Sequence, residues 1–80
     1  MIIKLNLYST SHCHLCEQAE SLLDILSKQY DISWVLIEIT DDAELLENYS
    51  HIIPVIKRLN NNREIAWPFT IGDIERFITA

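Results

Sequence analysis

The stretch Ile3-Lys4-Leu5-Asn6-Leu7-Tyr8-Ser9-Thr10-Ser11-His12-Cys13-His14-Leu15-Cys16 decides the fold. Its first half alternates, with Ile3, Leu5 and Leu7 set against Lys4, Asn6 and Tyr8, which is the two-residue period of a strand over roughly 2–8. Ser9 to His12 is a polar loop. From Cys13 onward the period changes. Leu15, Ala19, Leu22, Leu23, Leu26 and Tyr30 recur at three- and four-residue spacing, the apolar stripe of a helix ending near Gln29. Cys13 and Cys16 therefore stand at a helix start directly after a strand.

Working outward, Ile32 to Ile39 is apolar except for Ser33 and Glu38 and reads as a strand covered on both faces, with Trp34 in the core. Strand, helix and strand make a βαβ unit, so the chain is of the α/β class. Asp41 opens a short second helix over about 41–49, with Glu44 as a capping-box partner. After Pro54, Val55 to Leu59 forms a third strand, with Lys57 and Arg58 expected on its solvent side or edge. Asn60-Asn61-Asn62 tolerates left-handed backbone and returns the chain as a fourth strand, Arg63 to Trp67. A last helix runs from Ile71 to Thr79, capped by Thr70 with Asp73 in its first turn and with Ile74, Phe77 and Ile78 buried. The order β-α-β-α-β-β-α has no linker or repeat, and residues 1–80 are expected to form one domain.

Composition narrows the function. Hydrophobic residues make up 49% of the 80, and Gly and Pro number one and two, which excludes disordered and collagen-like classes. Twelve Asp and Glu against six Lys and Arg give a net charge of −6, the wrong sign for a phosphate-binding surface, so no nucleic-acid partner is expected. The N-terminal run from Met1 to Leu7 is broken by Lys4 and Asn6. It is neither a secretory segment nor a membrane span, and a cytoplasmic protein with no membrane partner is expected. Structural disulfides are rare in that compartment, so a close cysteine pair points to redox chemistry or metal.

The redox reading has a simple physical basis. Unpaired N–H groups and the positive end of the helix dipole favour a thiolate at Cys13. A thiol of pKa ~8.5 is about 3% ionised at pH 7, and one lowered to ~6 is about 90% ionised. Cys13 is the expected nucleophile, and Cys16, one turn further in, the resolving thiol. His14 is a candidate to stabilise the Cys13 thiolate or to contact bound substrate, its alternative being a solvated residue at the helix start. Tyr8, at the end of the first strand, is a candidate to hydrogen-bond to substrate in the site or to serve as a cap. His51 is a further candidate to approach the thiols. Metal or iron–sulfur binding through Cys13 and Cys16 is the rival chemistry. Against it, His12 and His14 both adjoin Cys13 and cannot converge with the two sulfurs on one tetrahedral ion, so no metal ligands are assigned. Covalent haem is excluded because Glu17, not His, follows Cys16. A binding module with incidental cysteines is the third reading.

Cys13-His14-Leu15-Cys16, Ile53-Pro54 roughly forty residues later, and the element order together resemble glutaredoxins and the wider thioredoxin superfamily. Leu7-Tyr8-Ser9, His14-Leu15-Cys16, Ile53-Pro54-Val55 and Trp67-Pro68-Phe69 are similar to a group of short glutaredoxin-like proteins. The resemblance implies a thioredoxin/glutaredoxin-like fold, with a four-stranded mixed sheet whose third strand runs antiparallel to the first. The first and last helices would cover one face and the short helix the other. It also implies that Pro54 is cis, and that the backbone of Ile53 pairs with glutathione or a peptide substrate. The implied activity is thiol–disulfide exchange by a monomer on a protein or small-molecule disulfide. No cofactor is required beyond an external thiol reductant, either glutathione or a reductase. The chain departs from the glutaredoxin pattern in three places. His14-Leu15 stands between the cysteines where Pro-Tyr is usual, no Lys precedes Cys13, and Trp67-Pro68-Phe69-Thr70 replaces a Gly-Gly turn that grips glutathione. Trp67 and Phe69 are expected to pack between the last strand and last helix in preference to forming a substrate platform.

Overall fold

The computed structural model describes residues 2–80; Met1, where the N-terminal run begins, lies outside the described residues. Four strands and three helices follow one another as β1 (Ile3–Ser9), α1 (His14–Leu26), β2 (Ile32–Glu38), α2 (Ala43–Tyr49), β3 (Val55–Arg58), β4 (Glu64–Ala66) and α3 (Ile71–Thr79). A 3-10 turn, Ile39–Asp41, lies between β2 and α2. The sheet order is β2-β1-β3-β4, with β1 parallel to β2 and antiparallel to β3, and β3 antiparallel to β4.

Strand alternation in β1 divides the core in two. Leu5 and Leu7 point to one face, where they meet Ala19, Leu23 and Leu26 of α1, Ile56 of β3, and Ile74 and Ile78 of α3. Tyr8 points to the other face and packs with Ile39 and Val55 against Leu45 and Tyr49 of α2. The two long helices thus share one face and the short helix takes the other. Phe69 is buried in the larger cluster and Trp67 packs edge-on against it, ring centroids 5.0 Å apart, in the packing role expected for the pair.

Four expectations need correction. β2 is an edge strand rather than one covered on both faces, and Val35 and Leu36 are 59% and 52% exposed. Val35 lies on the α2 face, and α2, with only seven residues, covers just the Tyr8 and Ile37 end of it, whereas Leu36 shares the other face with Leu7 and borders the space beside α1. Trp34, expected in the core, is half-buried, and its indole N–H donates to Glu20 Oε2 at 3.1 Å. Arg58, expected at the solvent side or edge, is 8% exposed. Its Nη1 donates to the carbonyls of Phe77 at 3.1 Å and Ala80 at 2.7 Å, so it serves the open C-terminal carbonyls of α3. The second helix is capped by Asp42, not Asp41. Asp42 Oδ1 accepts the N–H groups of Glu44 and Leu45 after the 3-10 turn has carried Ile39 into the core.

The first helix ends at Leu26, short of the expected Gln29, where the Ser27 hydroxyl donates to the Asp24 carbonyl and the Tyr30 N–H donates to Leu26 O. Tyr30 then donates its hydroxyl to Glu75 Oε2 at 2.7 Å, tying α1 to α3. In the hairpin turn, Asn62 takes the left-handed conformation its side chain tolerates. At the last helix Thr70 and Asp73 form a reciprocal box, Asp73 N–H to Thr70 Oγ1 and Thr70 N–H to Asp73 Oδ2. The Thr70 backbone bond, above all, holds the Asp73 carboxyl below its ordinary pKa. That contribution to stability is therefore present above the ordinary carboxyl pKa of ~3.9 and is lost as pH falls through the lower folded value. Thr70→Ala is expected to cost about 1 kcal/mol in urea unfolding at neutral pH. Asp73→Asn should flatten the acid limb of the stability–pH curve, and an unchanged acid limb would contradict the capping role assigned to Asp73.

Candidate active site

β1 runs out at Ser9, and the loop Thr10–His12 carries the chain across the sheet end to α1. His12 holds φ 60, a left-handed conformation that glycine adopts freely and other residues adopt at a cost. The turn it makes brings Cys13 to the N-cap of α1 in extended backbone, φ −104 and ψ 102. There Cys13 Sγ sits where a Ser or Asp oxygen caps most helices, and it accepts the Cys16 N–H at 3.1 Å. Cys13 O accepts the Glu17 N–H, the first helical bond. The two sulfurs are joined as a disulfide with Cα atoms 5.2 Å apart. Cys13 is half-exposed, whereas Cys16, one turn in and turned toward the core, is 5% exposed.

A residue passed over in the sequence holds this loop. Parallel pairing sets Glu38 beside Ser9, and its carboxylate reaches over to the loop. Oε1 accepts the Ser11 N–H at 3.0 Å and the Ser11 hydroxyl at 3.3 Å, while Oε2 accepts the Thr40 N–H at 3.3 Å. The Thr10 hydroxyl does most to hold the Glu38 carboxyl below its ordinary pKa, with Thr40 and Ser11 adding to the effect and loss of hydration opposing it. The signal was present as the one acidic residue ending an apolar strand, but its partner becomes visible only with the register.

The remaining candidates fall in different places. Pro54 is buried at the head of β3, and the register Tyr8↔Val55 brings it to the sheet end from which the cysteine loop departs. The Ile53–Pro54 peptide is cis, as is Trp67–Pro68. Pro54 O accepts the Trp67 N–H at 3.0 Å, and the Ile53 N–H is already given to Tyr49 O at 3.1 Å. The expected pairing of the Ile53 backbone with a substrate can use that N–H only if this bond opens. Its carbonyl, to which no donor is bonded among the described residues, is free to accept. Tyr8, expected near bound substrate, is 6% exposed and stacked on Tyr49, centroids 4.4 Å apart at 11°. Strand alternation commits its ring to the α2 face. Tyr49 in turn donates its hydroxyl to Glu64, and burial followed by that carboxylate pushes the Tyr49 pKa up. His14 projects into solvent with Nδ1 3.5 Å from Glu17 Oε2, away from the cleft beside the disulfide. His51 is exposed in the turn after α2 and is not among the residues lining that cleft.

The cleft, of about 240 Å³, runs beside the disulfide between α1 and the end of β2, bounded by Thr10, His12, Cys13, Glu17, Glu20 and Leu36. Among the described residues no group of three or more His, Cys, Asp or Glu is arranged to hold a metal ion, and no helix is long and apolar enough to cross a membrane.

A mixed β2-β1-β3-β4 sheet with two helices on one face, one on the other, and a Cys-x-x-Cys pair at the N-terminus of α1 is a thioredoxin-like fold. Thioredoxin 1 from Thermosipho africanus shares it with a TM-score of 0.65 at 18% identity over 96% of both chains. Two solved structures are nearer. XcR50 from X. campestris is 31% identical with a TM-score of 0.81, covering 94% of this chain and 95% of that one. Ne2328 from Nitrosomonas europaea is 26% identical with a TM-score of 0.84, covering 95% and 91%. Residues 4–79 match the model of the Glutaredoxin-like domain (DUF836), and the chain belongs to that family. No curated protein matches it significantly.

His12 offers a direct check on the loop. His12→Gly is expected to be tolerated or slightly stabilising, while His12→Val, β-branched in the same left-handed position, should cost on the order of 1–3 kcal/mol. Equal stability of the two variants in urea titration would mean that the loop does not require this backbone conformation.

Proposed function

We propose that this chain is a thiol–disulfide oxidoreductase of glutaredoxin-like type working through a dithiol mechanism. The observation that carries the reading is the position of Cys13 Sγ, half-exposed at the N-cap and accepting the Cys16 N–H, with Cys16 buried behind it. In the reduced protein the Cys13 thiolate attacks one sulfur of a substrate disulfide, forming a mixed disulfide and releasing the first thiolate. Cys16 then attacks Cys13 Sγ, expelling the second substrate thiolate and leaving the Cys13–Cys16 bond. The substrate gains two electrons and the protein loses them. An external thiol reductant, glutathione or a protein reductase, restores both thiols, and no metal is required.

The magnitudes support activation at Cys13. Lowering a thiol from ~8.5 to ~6.5 requires a preference of about 2.7 kcal/mol for the thiolate. A hydrogen bond to a charged acceptor supplies roughly 1.5–3 kcal/mol, and a helix N-terminus about 0.3–1 kcal/mol. The Cys16 N–H is thus the larger contributor. Glu17 and Glu20, which line the same cleft, act in the opposite sense. Pro54 and Ile53, at the same sheet end, would form the opposite wall for bound substrate, with the Ile53 carbonyl as backbone acceptor. The protein is expected to act as a monomer in the cytoplasm.

Alkylation of Cys13 as a function of pH, measured on the reduced Cys16→Ser variant, tests the reading. An apparent pKa below ~8 is expected. A value at ~8.5 or above would remove the basis for an activated nucleophile and turn attention to metal analysis of protein purified without oxygen.

A further inference from the structure

The cleft beside the disulfide does not end there. Glu17 and Glu20 are shared with a second hollow, of about 440 Å³, which continues along α1 past Asp24 to the Trp34 ring on β2. The two hollows adjoin at Glu17 and Glu20 and form a groove bridged by the Glu20–Trp34 hydrogen bond. Leu36 lines its near part, half of its surface open, and Trp34 lines the far part, so an apolar strip runs along the β2 side. The α1 side is carboxylate. Glu20 is fixed in place by the Trp34 indole N–H at 3.1 Å, which leaves its second oxygen unclaimed by that bond. Among the described residues no Lys or Arg lines either part, and His12 is the one imidazole. The whole chain adds a net charge of −6.

We propose that the groove selects cationic substrates, so that the disulfide reduced here lies in a peptide segment carrying Lys or Arg beside its cysteine, in preference to anionic thiols such as glutathione. This deepens the oxidoreductase reading and rests on it. A peptide whose cysteine meets Cys13 extends into the groove, laying an apolar stem along Leu36 and Trp34. Its ammonium or guanidinium then lies between Glu17, Glu20 and Asp24. An acidic peptide in the same place meets three like charges. Glu17 and Asp24 are exposed and Glu20 is half-buried, so the preference is expressed chiefly in the encounter and is weakened by salt.

The test uses the reduced full-length protein in excess over short peptides that each hold one intrachain disulfide. They are identical except that the two residues flanking the first cysteine are Lys, Gln or Glu. Two electrons pass from the Cys13–Cys16 dithiol to the peptide disulfide, giving peptide dithiol and protein disulfide. Reactions run at about pH 8 are quenched with acid and separated by chromatography under acid to read the rate, and the reverse reaction, protein disulfide with peptide dithiol, covers peptides whose equilibrium lies the other way. The Lys peptide is expected to react about tenfold faster than the Glu peptide at ~0.02 M salt, with Gln between them. The ratio should fall to about twofold at ~0.5 M. In Glu17→Gln/Glu20→Gln the low-salt ratio should collapse to about twofold or less.

Equal rates for all three peptides, or a faster Glu peptide, would overturn the charge preference and leave the oxidoreductase reading standing. A tenfold ratio unchanged in the double variant would overturn the assignment to this groove. No exchange in either direction with any peptide would overturn the oxidoreductase reading, and this inference with it.

Discussion

β1 is the constraint on which the other elements depend. It is the only strand in the sheet order with a parallel neighbour on one side and an antiparallel one on the other, and both of its faces are covered over its last residues. Leu7 on one side and Tyr8 on the other are adjacent in the chain yet belong to different clusters, so a slip of one residue would exchange the contents of both. Fixing that register also fixes what happens beyond it. Ser9 ends opposite Glu38, the loop after it is gripped by that carboxylate, and Cys13 arrives at the helix start with its sulfur aimed at the Cys16 amide. The placement of the cysteines is in this sense set by packing in the strand before them.

The same geometry makes the two sulfurs unequal. Both belong to one short segment, but Cys13 is outside the helix proper and Cys16 is within its first turn, facing the Leu23 side of α1. A negative charge on Cys13 finds an N–H donor and water; a negative charge on Cys16 would have to be formed against the core. Once the disulfide is reduced, dehydration disfavours charge on Cys16 more than on Cys13.

Much of the architecture was legible from local pattern because local pattern carries it. The change of period at Cys13, the Asn62 turn and the Thr70 cap are decided by residues within a few positions of one another, and they lie where the sequence places them. What could not be read depends on neighbours distant in the chain. Val35 and Leu36 look like core residues until β2 is known to be an edge, and Arg58 looks like a surface cation until the open carbonyls of α3 are known to lie beside it. The left-handed turn at His12 was hidden for another reason: the residue type that usually marks such a turn is absent. Tyr8 was drawn toward the cysteines by proximity in sequence, yet strand alternation aims its ring at the other face.

The two borders of the sheet are protected very differently. β4 has three residues with Glu64 and Ala66 exposed, too little backbone to recruit another strand. β2 has seven, with Val35 and Leu36 open to solvent, and is the kind of border along which copies of a protein zip together. Glu17, Glu20 and Asp24 stand along one flank of that border and Glu38 closes its end. Like charges in such positions oppose the approach of a second edge of the same kind. An edge of seven residues flanked by helix carboxylates and ended by Glu38 is one that loss of those charges would leave less defended against pairing with another copy.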